Sequence, residues 1–167
     1  ITLKKDKKSS YVDYTIHTRH EGSRKRQGFT SADMIYLIMS DRFVDGDESD
    51  NSLHMAEKAD KNNIHGRFGG DIQGIINSLD YIASLGATAI WPTPLLEDNE
   101  AAWSYHGYAC SDYYHIDPRH GSNELYKQMV EKAHEKGIKF IMDMVPNHCG
   151  ACHWWMKDLP YQDWINQ

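Results

Sequence analysis

Hydrophobic positions change period several times along the chain. In residues 1–28 they are sparse, and the alternation in Tyr11-Val12-Asp13-Tyr14-Thr15-Ile16 predicts an exposed β-strand. The basic, glycine-containing stretch from Gly22 to Gly28 reads as a linker. Met34-Ile35-Tyr36-Leu37-Ile38-Met39 is then continuously apolar, which predicts a strand buried on both faces. After a polar loop from Ser40 to Gly70, Ile72, Ile75, Ile76, Leu79, Ile82 and Leu85 fall on one stripe of a helix that Gly86 ends. A second buried strand is predicted at Ala87-Thr88-Ala89-Ile90-Trp91, closed by Pro92 and Pro94, which have no N–H to donate. An aromatic-rich loop runs to His120. Ser122 is placed to cap a helix with Leu125, Met129, Val130 and Ala133 on one side and Gly137 as its terminator, and Ile138 to Val145 predicts a third strand.

The unit of strand, long loop and helix therefore repeats, with strands beginning near residues 35, 87 and 138. Such alternation predicts parallel strands with right-handed crossovers. Three units fit an open doubly wound sheet or the beginning of a barrel. Long loops follow the strands while helix-to-strand turns are short, so elaboration sits at the strand C-terminal ends, where both architectures bind ligands. The turns there hold Asp41-Arg42-Phe43, Pro92-Thr93-Pro94 and Pro146-Asn147-His148 in place of a glycine-rich dinucleotide fingerprint, which removes the main support for nucleotide binding.

Composition narrows the field further. With 167 residues, 40% hydrophobic and 25% charged, the chain has globular character and enough length for one core. A net charge of -6 and a single short basic run, Arg24-Lys25-Arg26, argue against a nucleic-acid partner. No apolar run is long enough to span a membrane, and the Lys-rich opening, which begins at Ile1 rather than Met, reads as processed or truncated. Cys110, Cys149 and Cys152 are odd in number, so at least one thiol is unpaired within this chain.

Two groups of residues suggest chemistry. Asp143-Met144-Val145-Pro146-Asn147-His148 puts a carboxylate, an amide and an imidazole at the ligand-binding end of the third strand. Taken alone, Asp143 and Asn147 would simply satisfy backbone groups at a turn. The preceding unit, however, delivers Tyr105, His106, Tyr108, Asp112, Tyr113 and Tyr114 to the same face, and aromatic faces beside hydrogen-bonding side chains are what a sugar ring requires. The loop Asp45-Gly46-Asp47-Glu48-Ser49-Asp50-Asn51 offers closely spaced oxygen donors of the kind calcium takes, without the EF-hand spacing. Its simpler reading is a solvated acidic loop.

From residue 33 onward a resemblance accounts for these features together. Asp143-Met144-Val145-Pro146-Asn147-His148 resembles the strand-three motif Asp-x-Val-x-Asn-His of the α-amylase family, and Ser104-Tyr105-His106-Gly107-Tyr108 resembles its Tyr-His-Gly-Tyr segment. Asp41-Arg42-Phe43, Gly69-Gly70-Asp71 and Leu85-Gly86-Ala87-Thr88-Ala89-Ile90-Trp91 follow the family in order and spacing, most similarly to neopullulanases and cyclomaltodextrinases. The resemblance implies a (β/α)8 TIM barrel of the α/β class. Residues 1–28 would then be the tail of an N-terminal β-domain with its linker, and residues 29–167 the N-terminal part of the catalytic barrel, truncated after strand three.

Carried over by position, Tyr108 would stack on the sugar, and His106 and His148 would hydrogen-bond its hydroxyls. Asp143 would hold an arginine further along, and Asn147 would fix the loop. Asp45, Asp47, Asp50, Asn51, the Gly69 carbonyl and Asp71 would bind calcium. The family's retaining mechanism needs an aspartate nucleophile, a glutamate acid/base and a second aspartate on strands four, five and seven, so the chain as written is expected to be catalytically silent. The implied parent is a hydrolase or transglycosylase for α-1,4-linked glucans or cyclodextrins. A non-catalytic carbohydrate-binding or scaffold relative is the competing class. A homodimer of the parent and a periplasmic or extracellular setting are accompanying expectations. Cys149-Gly150-Ala151-Cys152-His153 has the form of a c-type haem attachment site and, with His148, offers four zinc ligands; lying in a stretch the resemblance explains and lacking a second ligand cluster, it is read as free or paired thiols. Trp154, Trp155, Tyr161 and Trp164 read as core or cleft wall.

Overall fold

The computed structural model describes residues 1–26 and 28–166; Gln27, within the predicted linker, and Gln167 lie outside them. The chain divides into two units, Ile1–Ala32 and Asp33–Gln167, so the observed boundary lies slightly beyond the predicted one at residue 28.

In the first unit β1 (Thr2–Lys5) and β2 (Lys8–Tyr11) form an antiparallel hairpin, paired from Thr2 with Tyr11 to Lys5 with Lys8. Asp6 turns the chain at φ 54. Reciprocal hydrogen bonds between Ile1 and Val12, at 2.8 and 2.9 Å, add one further pair. The strand predicted over residues 11–16 is therefore displaced toward the N-terminus. Alternation there marked a chain that can be extended, but a strand exists only where a neighbour completes the ladder, and the hairpin's pairs stop at Val12.

The second unit runs β3 (Ile35–Ile38), α1 (Ile72–Asn77), α2 (Leu79–Ser84), β4 (Ala89–Pro92), β5 (Leu96–Glu97), β6 (Asp112–Ile116), α3 (Asn123–Glu135) and β7 (Lys139–Phe140). Strands β3, β4 and β7 make a parallel sheet in that order, with Ile35 opposite Ala89 and Ala89 opposite Lys139. Three parallel strands thus lie side by side, joined by two helical crossovers. The predicted cap forms, with Leu125 N donating to Ser122 Oγ at 3.1 Å at the start of α3, and Asp71 caps α1 in the same way, its Oδ1 accepting from Gly74 N at 2.6 Å. Ile72, Ile75, Leu79 and Ile82 bury against Ile38, Ile90, Met129 and Ala133, each at 2% exposure or less. Burying a side chain of this size stabilises by about 1.5–3 kcal/mol. Among the described residues no helix is long and apolar enough to cross a membrane.

Four expectations need correction. The single helix over residues 72–85 is two helices, because the Ser78 hydroxyl donates to Gly74 O at 2.8 Å and takes the carbonyl that would continue the ladder, while Ser78 N turns to Ile75 O. The third strand shrinks to Lys139–Phe140, because its partner β4 ends at Pro92. The strands are not buried on both faces. Helices cover one side of the sheet, whereas Ile35, Leu37 and Trp91 on the other are 37–58% exposed. Finally, the aromatic loop before His120 contains an antiparallel ribbon, β5 with β6, whose irregular register between Leu96 and Glu97 hides its alternation.

Candidate sugar site

The residues that the third strand and the preceding loop deliver do meet. Tyr108 Oη donates to Asp143 Oδ2 at 3.0 Å, and Trp91 Nε1 donates to the same oxygen at 2.9 Å. Within this chain Asp143 is thus met by two neighbours, both on Oδ2. The Tyr-His-Gly-Tyr segment is a tight turn: a single helical turn over Ser104–His106 ends at Gly107 with φ 78. A Cβ on Gly107 would lie 2.1 Å from Pro94 O, so only glycine lets this loop lie against the end of β4. The turn leaves the Tyr108 ring 38% exposed and places His106 5.8 Å from it at 42°. His106 Nδ1 accepts from Tyr108 N at 2.9 Å, which places the ring proton on Nε2 and leaves it for another acceptor; burial lowers the His106 pKa.

His148 reaches the same place but spends both ring nitrogens inside the chain. Its Nε2 lies 2.9 Å from Tyr108 O, which can only accept, and its Nδ1 lies 3.3 Å from Asn147 Nδ2, which can only donate. The expected hydrogen bond from His148 to a sugar hydroxyl would have to displace one of these. Asn147 holds the imidazole, as a loop-fixing residue should. Beside them a groove of about 580 Å³ is lined by Tyr113, Met144, Asn147, His148, Trp155 and Trp164, which makes the two tryptophans cleft wall.

Beneath the site lies a buried charge cluster that the sequence did not announce. Arg67, Arg119, Asp41, Asp117 and His120 are each at most 2% exposed. Arg119 Nε and Nη2 donate to the two oxygens of Asp117 at 2.9 and 2.7 Å. Against burial, which raises it, this pairing with Arg119, followed by His120 and Arg67, brings Asp117 down to about 2. Arg67 donates to Ser104 O at 3.2 Å, and Glu57 accepts from Ser104 N and Oγ, each at 2.7 Å, so the cluster grips the start of the Tyr-His-Gly-Tyr turn. His120 Nδ1 donates to Gly70 O at 3.0 Å, and its Nε2 faces Arg67 Nη2 at 3.2 Å. Burial first, then Arg67, depresses it to about 3.

A histidine whose folded pKa is depressed binds its proton in the unfolded chain first, so its stabilising neutrality is lost as pH falls from 6.5 toward 3. His120→Gln keeps a donor and an acceptor and does not titrate. Asp50 and Asp98, raised by burial to about 7 and about 6, act in the opposite sense but are common to both proteins. Urea unfolding at a series of pH values is therefore expected to show wild type losing stability relative to His120→Gln by about 1.4 kcal/mol per pH unit across that window. Parallel curves would refute the burial of a neutral imidazole.

The acidic loop is also partly assembled. Asp45 Oδ1, Asp50 Oδ1 and Asn51 Oδ1 are buried without hydrogen-bond partners. A Cβ on Gly69 would lie 2.1 Å from Asn51 Oδ1, so the Gly69 backbone closes on the same spot. Burial first, then Asp71, Asp47 and Asp45, pushes Asp50 up to about 7 against the pull of Arg67, while Lys61 Nζ pairs with Asp45 Oδ2 at 3.1 Å. Asp71 is next to them but committed: Oδ1 caps α1 and Oδ2 accepts from Gly46 N and Asp47 N at 2.8 and 2.7 Å. The Asp47 carboxylate turns away to Ser49 at 2.6 Å. The structure thus brings together Asp45, Asp50, Asn51 and Gly69, with Asp71 as their brace, and leaves Asp47 outside. Among the described residues no three His, Cys, Asp or Glu side chains group as ligands of one metal, so the gathered donors here are two carboxylates joined by an amide. Cys110, Cys149 and Cys152 are all free thiols, and burial takes Cys110 up to about 11.

Residues 37–166 match the protein family described as alpha amylase, catalytic domain. A cyclomaltodextrinase of Thermoanaerobacter pseudethanolicus is 38% identical over 145 residues, covering 83% of this chain and 25% of that protein. Neopullulanase 2 of Thermoactinomyces vulgaris is 36% identical over 79% of this chain and 23% of its own length. The crystal structure of an Anoxybacillus α-amylase superposes with a TM-score of 0.74 at 37% identity, covering 81% of this chain and 28% of that one. The chain accordingly spans about a quarter of the length of these relatives.

Proposed function

The chain belongs to the α-amylase catalytic-domain family, a TIM-barrel family, and from that premise we propose that its parent protein is a retaining glycosidase for the α-1,4 bonds of starch-derived glucans or cyclodextrins. In this reading the second unit supplies the first three of eight β/α units, and the C-terminal ends of its strands form one wall of the sugar cleft. The observation that carries the reading is the exposed Tyr108 ring, held by its hydroxyl on Asp143 and flanked by His106 and His148. The ring offers a stacking face, and the His106 Nε2–H offers a donor beside it. Retaining chemistry needs two carboxyls about 5–5.5 Å apart, one as nucleophile and one as acid/base. Asp143, whose Oδ2 accepts from Tyr108 and Trp91, is read as a positioning group, and in this proposal the reacting carboxyls are carried by strands four and five of the parent protein.

The test is calorimetric titration of the chain with maltotetraose and α-cyclodextrin. Saturable binding is expected, and Tyr108→Ala is expected to weaken it about tenfold, the size of one lost stacking contact. No saturation, or equal binding of β-linked cellotetraose, would sink the reading.

We further propose calcium in the acidic loop, held by Asp45, Asp50, Asn51 and the Gly69 carbonyl. The ion would satisfy the three orphaned oxygens and neutralise their charge, which is structural chemistry only. Calcium added after chelator treatment is expected to raise the thermal midpoint, by about 2.7 kcal/mol of stability at a hundredfold excess over the dissociation constant, and Asp50→Ala to abolish the rise. A midpoint indifferent to both chelator and calcium excludes the site.

A further inference from the structure

The Arg42 side chain, from the turn after β3, lies between two rings. Its Cζ is 4.0 Å from the Phe68 ring centroid and 4.2 Å from that of Tyr105. A planar guanidinium between two aromatic faces is attracted to both, and an ammonium cannot reproduce that stack. The group is also held at its tip, where Nη2 donates to Ile64 O and Gly66 O at 3.1 and 2.7 Å, while Nε lies 3.0 Å from Asp41 Oδ2 as an ion pair not aligned for a hydrogen bond. Asp41 is itself fixed by accepting from Phe68 N at 2.8 Å and Gly69 N at 3.2 Å.

From Tyr105 the contacts continue to the sugar site. Its ring meets His106 edge-on, with centroids 5.4 Å apart at 64°. His106 packs on Tyr108 and accepts its backbone N–H. Phe68, Arg42, Tyr105, His106 and Tyr108 thus form one unbroken series of ring and guanidinium contacts. It runs from the backbone next to Gly69, at the acidic loop, to the tyrosine face that would meet the sugar.

We propose that Arg42 is a positioning residue of the glucan site, fixing the plane of Tyr105 and through it the orientations of His106 and Tyr108. This rests on the reading that Tyr108 and His106 contact the glucan. Glu57 and Arg67 hold the backbone of the same turn at Ser104, and that contact does not set the plane of the Tyr105 ring. Arg42 adds what the backbone grip lacks, a flat surface against which the first ring of the series can rest.

The experiment compares Arg42→Lys, Tyr105→Leu, Tyr105→Phe and the Arg42→Lys/Tyr105→Leu pair, each by thermal midpoint, by NMR titration of His106 without sugar, and by α-cyclodextrin affinity. Arg42→Lys keeps the charge and the reach, so the fold is retained while the stack is lost. The His106 midpoint, held below its ordinary value by burial in wild type, is expected to rise in Arg42→Lys and Tyr105→Leu as the ring opens to water. Affinity is expected to fall about tenfold in each, and the pair to be no weaker than either single variant, since both break one series. Tyr105→Phe, which keeps the ring, should restore what Tyr105→Leu loses. If Arg42→Lys moves only the thermal midpoint and leaves the His106 titration and the affinity at wild-type values, Arg42 is a structural residue and the proposal falls. A wild-type chain that binds no glucan overturns the proposed function instead, and the sugar-free titration then decides the positioning claim alone.

Discussion

Gly74→Ala is expected to destabilise the chain by about 3 kcal/mol or more, although alanine in place of glycine inside a helix ordinarily stabilises by about 1 kcal/mol. The reason is a backbone crossing. A Cβ on Gly74, in α1, would lie 1.9 Å from Val44 O and 2.6 Å from Val44 C. The reverse holds for Gly46, whose added Cβ would lie 2.3 Å from Gly74 N. The acidic loop and the first turn of α1 therefore touch main chain to main chain, tied by Asp71 N on Val44 O at 3.1 Å and Gly46 N on Asp71 Oδ2 at 2.8 Å. Backbone cannot step aside as a side-chain tip can, so relieving the clash breaks these bonds. Denaturant midpoints measure the cost, and the calcium-dependent rise in thermal midpoint should vanish with it. An alanine variant as stable as wild type would mean that the crossing is looser than 2 Å contacts allow.

Arg67→Met is expected to cost about 3–5 kcal/mol at pH 7 for a different reason, since removing one partner of a buried ion cluster strands the others. The Arg67 Nε lies 3.6 Å from Asp41 Oδ1, and its Nη1 lies 4.0 Å from Asp117 Oδ2 while donating to Ser104 O. Burial already raises the Asp41 pKa, and with Arg67 gone the carboxylate loses one of the two cations that oppose this. Asp41→Asn on the Arg67→Met background should recover part of the loss, because it removes a charge that no longer has its partner. Urea unfolding of the two single variants and the pair gives the coupling. A loss below about 1 kcal/mol in Arg67→Met would show that water reaches the cluster and screens it.

Sequence patterning located the scaffold well and the support for the site poorly. The apolar runs at Ile35–Ile38 and Ala89–Pro92 were legible from their length and their β-branched and aromatic content, and the helix capped by Ser122 from its helical period. The break at Ser78 was not, because a serine in mid-helix is neutral until its hydroxyl finds the Gly74 carbonyl. Tyr108, His106, Asp143, Asn147 and His148 could be named from motif order alone, and they converge as expected. Arg67, Arg119, Asp117 and Glu57 could not, since a charged residue in a polar loop looks solvated until its partners, from distant segments, enclose it. The one available hint was Asp117-Pro118-Arg119-His120, four residues of which three carry charge or titrate beside a predicted helix start. Arg42 was visible as part of Asp41-Arg42-Phe43, but its stack on Phe68 and Tyr105 joins three separated segments, and no spacing encodes that.

The one-sided covering of the sheet bears on how such a chain comes to be made. On synthesis, β3, β4 and β7 can dock their helices as soon as these residues have emerged, because the Ile38, Ile90 and Met129 side of the sheet is complete within them. The opposite side then shows Ile35, Leu37 and Trp91 to solvent. During that interval the nascent protein carries an apolar sheet surface of the kind that folding chaperones retain and that aggregates grow from. How this surface is covered, more than the stability of the packed side, would set the yield of soluble protein.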